Sequence, residues 1–327
     1  LSAATPLGHR FVPAPAGWWL TGFYILLAAA TSLIVLPMRT GILWRTLAVW
    51  TAAGMGLALI PARSDGLTAT FLSVGHGCAV LVETPSGRTL LYDAGSFADG
   101  RRAEATIEAA LWERGYTRID TVIVSHADID HFNGLPGLCR NIPIGSILMA
   151  QSCLDFRQEM VRLLCEEAAQ TATPIRLIQA GDTIAIDPEV TAEVLHPTAT
   201  DATQADNENS IVLRLSYQNR SLLLTGDVEG AGLDALLSQP QFPVDILMAP
   251  HHGSLAANPK SLALWAAPEY VIASSGDDSV SQKLRSRYPE AVEVLSTADS
   301  GAIRCDIDRG GRTSLTPFHR RNESRFP

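Results

Sequence analysis

His126-Ala127-Asp128-Ile129-Asp130-His131 follows directly on the apolar run Thr121-Val122-Ile123-Val124 and Ser125. A strand with that ending delivers two imidazoles and two carboxylates from one tight loop. Buried carboxylates without compensation are costly. Positive charge therefore belongs among them, and a pair of divalent ions is its simplest source. In an extended loop, residues two apart point the same way. His126 and Asp128 are thus expected to share one ion, with Asp130 and His131 offset toward a second. The alternative reading is a solvated charged turn.

The same construction recurs twice downstream. Leu222-Leu223-Leu224-Thr225-Gly226 leads into Asp227, and Val244-Asp245-Ile246-Leu247-Met248 leads into Pro250-His251-His252-Gly253-Ser254. Alone, Asp227 reads as a helix N-cap, because a helix is expected after it. Its parallel placement makes it a candidate ligand whose two oxygens each face one ion, and Gly226 permits close backbone approach. Adjacent histidines point in different directions, so one of His251 and His252 is expected to ligate while the other faces outward or toward substrate. His196, after Glu193-Val194-Leu195, reads either as a strand-end histidine or as a further ligand.

Composition limits what surrounds such a centre. The 327 residues carry a formal net charge of -9, so no broad basic face for nucleic acid is expected. Bound metal would reverse the sign locally. The five cysteines have no CxxC or CxxH spacing, which argues against a thiolate zinc site and leaves at least one thiol unpaired within the chain.

The N-terminal residues differ from the rest. Residues 16–37 and 42–60 are two apolar runs, the first led by Trp18, Trp19, Phe23 and Tyr24, the second broken by Arg45. Their lengths predict two transmembrane helices within 1–62. Arg39 and Arg45 would place the connection between them in the cytoplasm, whereas Arg10 and Arg63 argue for the opposite orientation. A start at Leu1 rather than Met reads as a fragment of a longer membrane protein. A linker is expected over 63–67, a hydrolase domain over 68–318, and a polar tail over 319–327. Hairpin-like strands in the first half of that domain, followed by strand–helix alternation, predict an α/β fold of two sheets covered by helices on their outer faces.

In the order HxDxDH, TGD and PHHGS, these motifs resemble the metallo-β-lactamase superfamily, whose fold is an αββα sandwich. Phe71-Leu-Ser-Val-Gly-His-Gly77, Leu91-Tyr-Asp-Ala-Gly95, Asn209-Ser-Ile-Val-Leu-Arg-Leu215, Leu223-Leu-Thr-Gly-Asp-Val-Glu229 and Ala249-Pro-His-His-Gly-Ser254 narrow the resemblance. They are similar to the C-terminal domain of ComEC-type proteins, the DNA-uptake channels of competent bacteria. The resemblance implies two divalent ions, zinc or manganese, held by His126, Asp128, Asp130, His131, Asp227 and His251. Asp227 would bridge them, His252 would be the alternate ligand, and Asp93 would orient a ligand from behind. Asp130 or His252 would manage the proton on the leaving oxygen.

The resemblance also implies a metal-dependent phosphodiesterase acting on DNA. It would sit in the inner membrane with its hydrolase domain on the extracytoplasmic side, beside other DNA-uptake machinery. The alternatives are a degenerate domain serving as DNA guide or gate, and a small-ester hydrolase. Three departures stand out. Asp128 occupies a position that is more often histidine in the superfamily. His76 and Cys78 stand where relatives often carry Gln and Asp. The segment Gly276-Asp277-Asp278-Ser279-Val280 lacks the histidine of a common Gly-His-Pro motif.

Overall fold

The computed structural model describes residues 17–32, 40–58, 64–155, 159–198 and 205–319. The chain begins with helices α1 (Gly17–Ser32) and α2 (Thr40–Ala58). Strands β1 (Gly66–Phe71), β2 (Val80–Glu83) and β3 (Thr89–Tyr92) follow, then α3 (Gly100–Glu113), β4 (Thr121–Val124), α4 (Ile129–Phe132) and α5 (Leu135–Asn141). Next come β5 (Ile147–Met149), α6 (Gln151–Asp155), α7 (Glu159–Gln170), β6 (Ile175–Leu177), β7 (Thr183–Asp187), β8 (Val190–His196), β9 (Val212–Tyr217) and β10 (Arg220–Leu224). The chain continues through α8 (Gly230–Leu237), β11 (Ile246–Met248), α9 (Lys260–Ala266), β12 (Tyr270–Ala273), α10 (Val280–Arg285) and β13 (Glu293–Ser296). It closes with α11 (Thr297–Ser300), β14 (Ile303–Asp308) and β15 (Thr313–Pro317).

Two sheets result. The first runs β15-β14-β1-β2-β3-β4-β5-β6 and the second β13-β12-β11-β10-β9-β8-β7. Within each, an antiparallel part joins a parallel part, β3 to β6 in one and β10 to β13 in the other. Parallel neighbours need crossovers, and α8, α9 and α10 supply them for the second sheet. Their apolar faces bury Leu233, Leu236, Leu262, Trp265 and Leu284 against Leu223, Leu247 and Val271. The alternate residues Leu222, Leu224, Ile246 and Met248 are as deeply buried and point to the opposite face of the sheet. Strands covered on both faces read as unbroken apolar runs, which is why β4, β10 and β11 are evident in the sequence. This is the expected α/β sandwich.

Direct hydrogen bonds join the sheets at one end. The Ile211 N–H donates to Ser125 O at 2.8 Å. The Tyr92 hydroxyl donates to Ile211 O at 2.5 Å, and Ser274 Oγ donates to Gly77 O at 2.9 Å.

Among the described residues the chain divides into two compact units, one holding α1, α2 and residues 109–117, the other holding both sheets. The two apolar runs do form helices. Trp19 Nε1 donates to Trp50 O at 3.1 Å and Trp50 Nε1 donates to Trp19 O at 3.2 Å, so each indole closes on the other helix's backbone. The expected membrane spans need correction, because no helix among the described residues is long and apolar enough to cross a membrane. The described part of α1, sixteen residues, rises about 24 Å at 1.5 Å each, against a hydrocarbon core of ~30 Å. In α2, Arg45, three threonines and three glycines dilute the apolar run. Residues 33–37 and 59–60 of the expected spans lie outside the described residues, as do residues 1–16, position 63 of the expected linker and 320–327 of the expected tail.

Candidate metal centre

The C-terminal ends of parallel strands lie on one side of a sheet, and there the side chains converge. Asp93 follows β3, Ser125 and His126 follow β4, Asp227 follows β10, His251 and His252 follow β11, and Ser274 follows β12. Two glycines let the loops close. A Cβ on Gly95 would stand 2.2 Å from the Asp130 carbonyl carbon. The backbone at 130–131 rides directly on this turn, where the Ala94 N–H donates to His131 O at 2.7 Å. Gly226 has φ +52°, and its Cβ would lie 2.9 Å from that of Ser125 in the other sheet.

His126, His131, His251 and His252 are each anchored through Nδ1. Asp93, buried and itself at φ +61°, accepts from the Ser125 N–H and from Ser125 Oγ, each at 2.8 Å, and from His131 Nδ1 at 2.8 Å. The single hydroxyl proton of Ser125 is thereby committed, so His126 Nδ1, 2.9 Å from Oγ, must be the donor of that pair. His252 Nδ1 donates to Ser274 O at 2.9 Å, and His251 Nδ1 donates to Glu229 at 2.7 Å. Fixing the proton on Nδ1 leaves Nε2 as the coordinating atom, the arrangement that metal-binding imidazoles use.

The Nε2 atoms meet two carboxylates. His131 Nε2 lies 3.1 Å from Asp227 Oδ1 and 3.3 Å from His252 Nε2. His252 Nε2 is 3.2 Å from Asp130 Oδ2 and 3.3 Å from Asp227 Oδ2. Buried His126 Nε2 and Asp227 Oδ1 lack a hydrogen-bond partner among the described residues. Each such orphan costs about 1–3 kcal/mol. A cation among His126, His131 and Asp227, whose ligand atoms lie within 4.8 Å of one another, relieves both. A second group with the same property is His76, Asp130 and His252. The donors, imidazole nitrogens with carboxylates, suit zinc or manganese. The residues fit divalent metal.

Among the protein groups the charges arrange as ion pairs. Burial pulls His131 down, but Asp227 and Asp93 outweigh it and hold the imidazole well above its ordinary value. Burial likewise opposes charge on His252, yet Asp227 and Asp130 raise it. Burial and the neighbouring His131 push His126 down to about 3. Asp130, despite burial, is drawn down to about 2 by His252 and His131. The same imidazoles hold Asp227 well below the carboxylate range.

Most of the residues expected from the sequence converge here. Asp128 stands apart from the two groups. It is extended (φ -76°, ψ 144°) just before α4, with its side chain 50% exposed and Oδ2 3.9 Å from His126 Nε2. His131, expected beside Asp130, groups with His126, because one turn of helix rather than an extended loop carries the pair. His252 enters the cluster, whereas His251 is a third exposed with Nε2 3.8 Å from Asp227. His196 is buried at the end of β8, its Nδ1 3.0 Å from Ser210 O. The sequence reading missed His76 as a member of the cluster and Glu229 as the partner of His251. Their signal was present in Gly75-His76-Gly77 and in the two-residue step from Asp227. Cys78 is buried beside Asp93 and His131, its thiol pushed well above the ordinary value by burial and by Asp93.

Residues 72–273 match the family model described as the metallo-β-lactamase superfamily. The chain belongs to the metallo-β-lactamase superfamily. The resemblance to ComEC-type proteins holds as well. The chain is 28% identical over 299 residues to Competence protein ComA of Neisseria gonorrhoeae, covering 88% of this chain and 39% of that protein. It is 29% identical over 265 residues to Recombination protein 2 of Haemophilus influenzae, covering 76% and 31%. It is 24% identical over 281 residues to ComE operon protein 3 of Bacillus subtilis, covering 80% and 36%. The chain thus spans less than two fifths of the length of these relatives. Among solved structures, Rm3 metallo-β-lactamase is similar at 19% identity and a TM-score of 0.41, over 60% of this chain and 80% of that one.

Proposed function

We propose that this chain is a metal-dependent phosphodiesterase that cleaves DNA in the course of its uptake. The observation that carries the reading is the convergence of His126, His131 and Asp227 beside Asp130 and His252, with buried ligand atoms unsatisfied by protein. We assign His126, His131 and Asp227 to one ion and Asp130 and His252 to the other, with Asp227 in reach of both. Asp128 stands beside the first. Zinc or manganese held there would lower the pKa of water and stabilise negative charge building on a phosphate.

The chain's own residues do the rest. Asp93 clamps His131 and, through Ser125, His126, so both rings are oriented before substrate arrives. Ser274 does the same for His252. Asp130 and His252 face each other within the cluster and serve as ligands in this reading. That leaves His251, oriented by Glu229 and partly exposed, to move a proton at the leaving oxygen through Nε2.

Relatives named for competence and recombination support DNA as the substrate, and a metal centre supplies positive charge that a chain of net charge -9 does not offer broadly. Membrane attachment belongs to the same proposal. Trp18, Tyr24, Ile25, Trp44 and Val49 on α1 and α2 are exposed, an apolar surface of the kind that seats against lipid.

Metal analysis of the purified chain, followed by cleavage of DNA with added Mn²⁺ or Zn²⁺, tests the reading. Bound metal and DNA cleavage abolished by chelator are expected. Absence of both would leave a guide or gate. Metal with hydrolysis of small esters but not DNA would point to the ester hydrolase.

A further inference from the structure

The loop between β1 and β2 carries His76, which stands in the second group but is assigned to neither ion above. Its imidazole lies 4.4 Å from the ring of His252, centroid to centroid, and its Nε2 is 3.9 Å from Asp130 Oδ2. That distance is too long for a hydrogen bond. It is close to the separation of two donors that share one ion, because ligands about 2.1 Å from a tetrahedral metal stand roughly 3.4 Å apart. His252 Nε2 to Asp130 Oδ2, at 3.2 Å, has the same character.

The backbone of His76 is held rather than loose. The Phe97 N–H donates to His76 O at 2.7 Å. Gly276, after β12, packs so tightly on it that a Cβ there would lie 2.8 Å from the His76 nitrogen. The Phe97 ring meets the imidazole edge-on at 6.0 Å. Thus a half-exposed side chain, 53% accessible, is held beside the cluster by a gripped backbone.

We propose that His76 is a metal ligand, completing the second site with Asp130 and His252. This rests on the metal-centre reading above. It gives that site two imidazoles and a carboxylate, with His131 Nε2 3.3 Å from His252 Nε2, a nitrogen-rich set that favours zinc over manganese at this position. The loop between β1 and β2, rather than a strand end, then closes the centre.

Zinc content and affinity of the full chain, measured by elemental analysis and calorimetric titration, test it in the wild type, His76→Gln and His76→Asp. Two ions per chain are expected in the wild type. In His76→Gln the second is expected to bind at least about 100-fold more weakly, beyond the 10–100-fold typical when only an outer partner is lost. His76→Asp should recover most of the affinity while shifting preference toward manganese. Cobalt substitution adds a readout independent of activity, since loss of a nitrogen ligand changes the visible absorption of the second ion. Two zinc ions bound with unchanged affinity in a folded His76→Gln chain would overturn the assignment and leave the metal-centre reading standing. A wild-type chain that binds no metal would overturn both.

Discussion

Asp93 shows how much one buried carboxylate organises. It accepts three hydrogen bonds, two from Ser125 and one from His131, and so sets the orientation of two imidazoles without touching the space between them. Replacing it by alanine strands the Ser125 N–H and the His131 Nδ1–H in the interior. Each orphaned group costs about 1–3 kcal/mol, and the loss of ring orientation lowers metal affinity by about 10–100-fold. Chemical unfolding and metal titration of Asp93→Ala should show both losses together. The two adjacent histidines separate in the same way. His252→Ala removes a buried Nε2 that lies within 3.3 Å of both Asp130 and Asp227, whereas His251→Ala removes a ring that contacts Glu229 at the rim. Metal content should fall in the first variant and persist in the second, where turnover alone should drop. Equal metal loss in both would return His251 to the ligand set.

At the scale of elements, the centre depends on backbones that pass close to one another. Gly226 both takes φ +52° and lies against Ser125 across the sandwich. An alanine there pays about 1 kcal/mol for the left-handed conformation and meets Ser125 Cβ at 2.9 Å. We expect Gly226→Ala to lose about 2–3 kcal/mol in urea unfolding and to weaken metal binding, because Asp227 is the next residue. A loss below about 0.5 kcal/mol would mean that the loop simply shifts. Elements of this kind differ in how plainly the sequence announces them. Strands β4, β10, β11 and β12 are apolar runs that end in a charged or histidine-bearing turn, so both their existence and the position of the site were legible. Helix α4 was not. It is one turn carrying Asp130 and His131, too short for any periodicity, so the extended loop expected over 126–131 turns helical after Asp128. Strands β5 and β6, of three residues each, are as short as β11 but lack the histidine-bearing turn that marks it. His76 and the segment from Gly276 to Val280 were each visible as departures from the family's pattern, but that His76 and Gly276 pack together is a property of the fold.

On the scale of the whole molecule, the centre is where the two sheets are joined. The first sheet contributes Asp130 together with His126 and His131 and their anchor Asp93, and the second contributes Asp227 and His252. Direct hydrogen bonds across this end include the three from Ile211, Tyr92 and Ser274. Ions that take ligands from both sheets act as cross-links that the unfolded chain cannot reproduce in this geometry, so binding energy becomes folding energy. With free metal at about 100 times Kd the linkage is worth about 2.7 kcal/mol. For a domain of this size that corresponds to roughly 5–10 °C in the unfolding midpoint. Calorimetric scans of the metal-loaded chain, the chelated chain and the chelated chain after zinc is restored should show a fall and a recovery of that size. The size of the response also discriminates. If both ions take ligands from the two sheets, titrating zinc back should restore the midpoint in two steps, whereas recovery complete after one equivalent would confine the cross-link to the His126, His131 and Asp227 group. A midpoint that ignores chelation would mean that hydrogen bonds and packing alone join the sheets, and that the cluster is not occupied by metal in the folded protein.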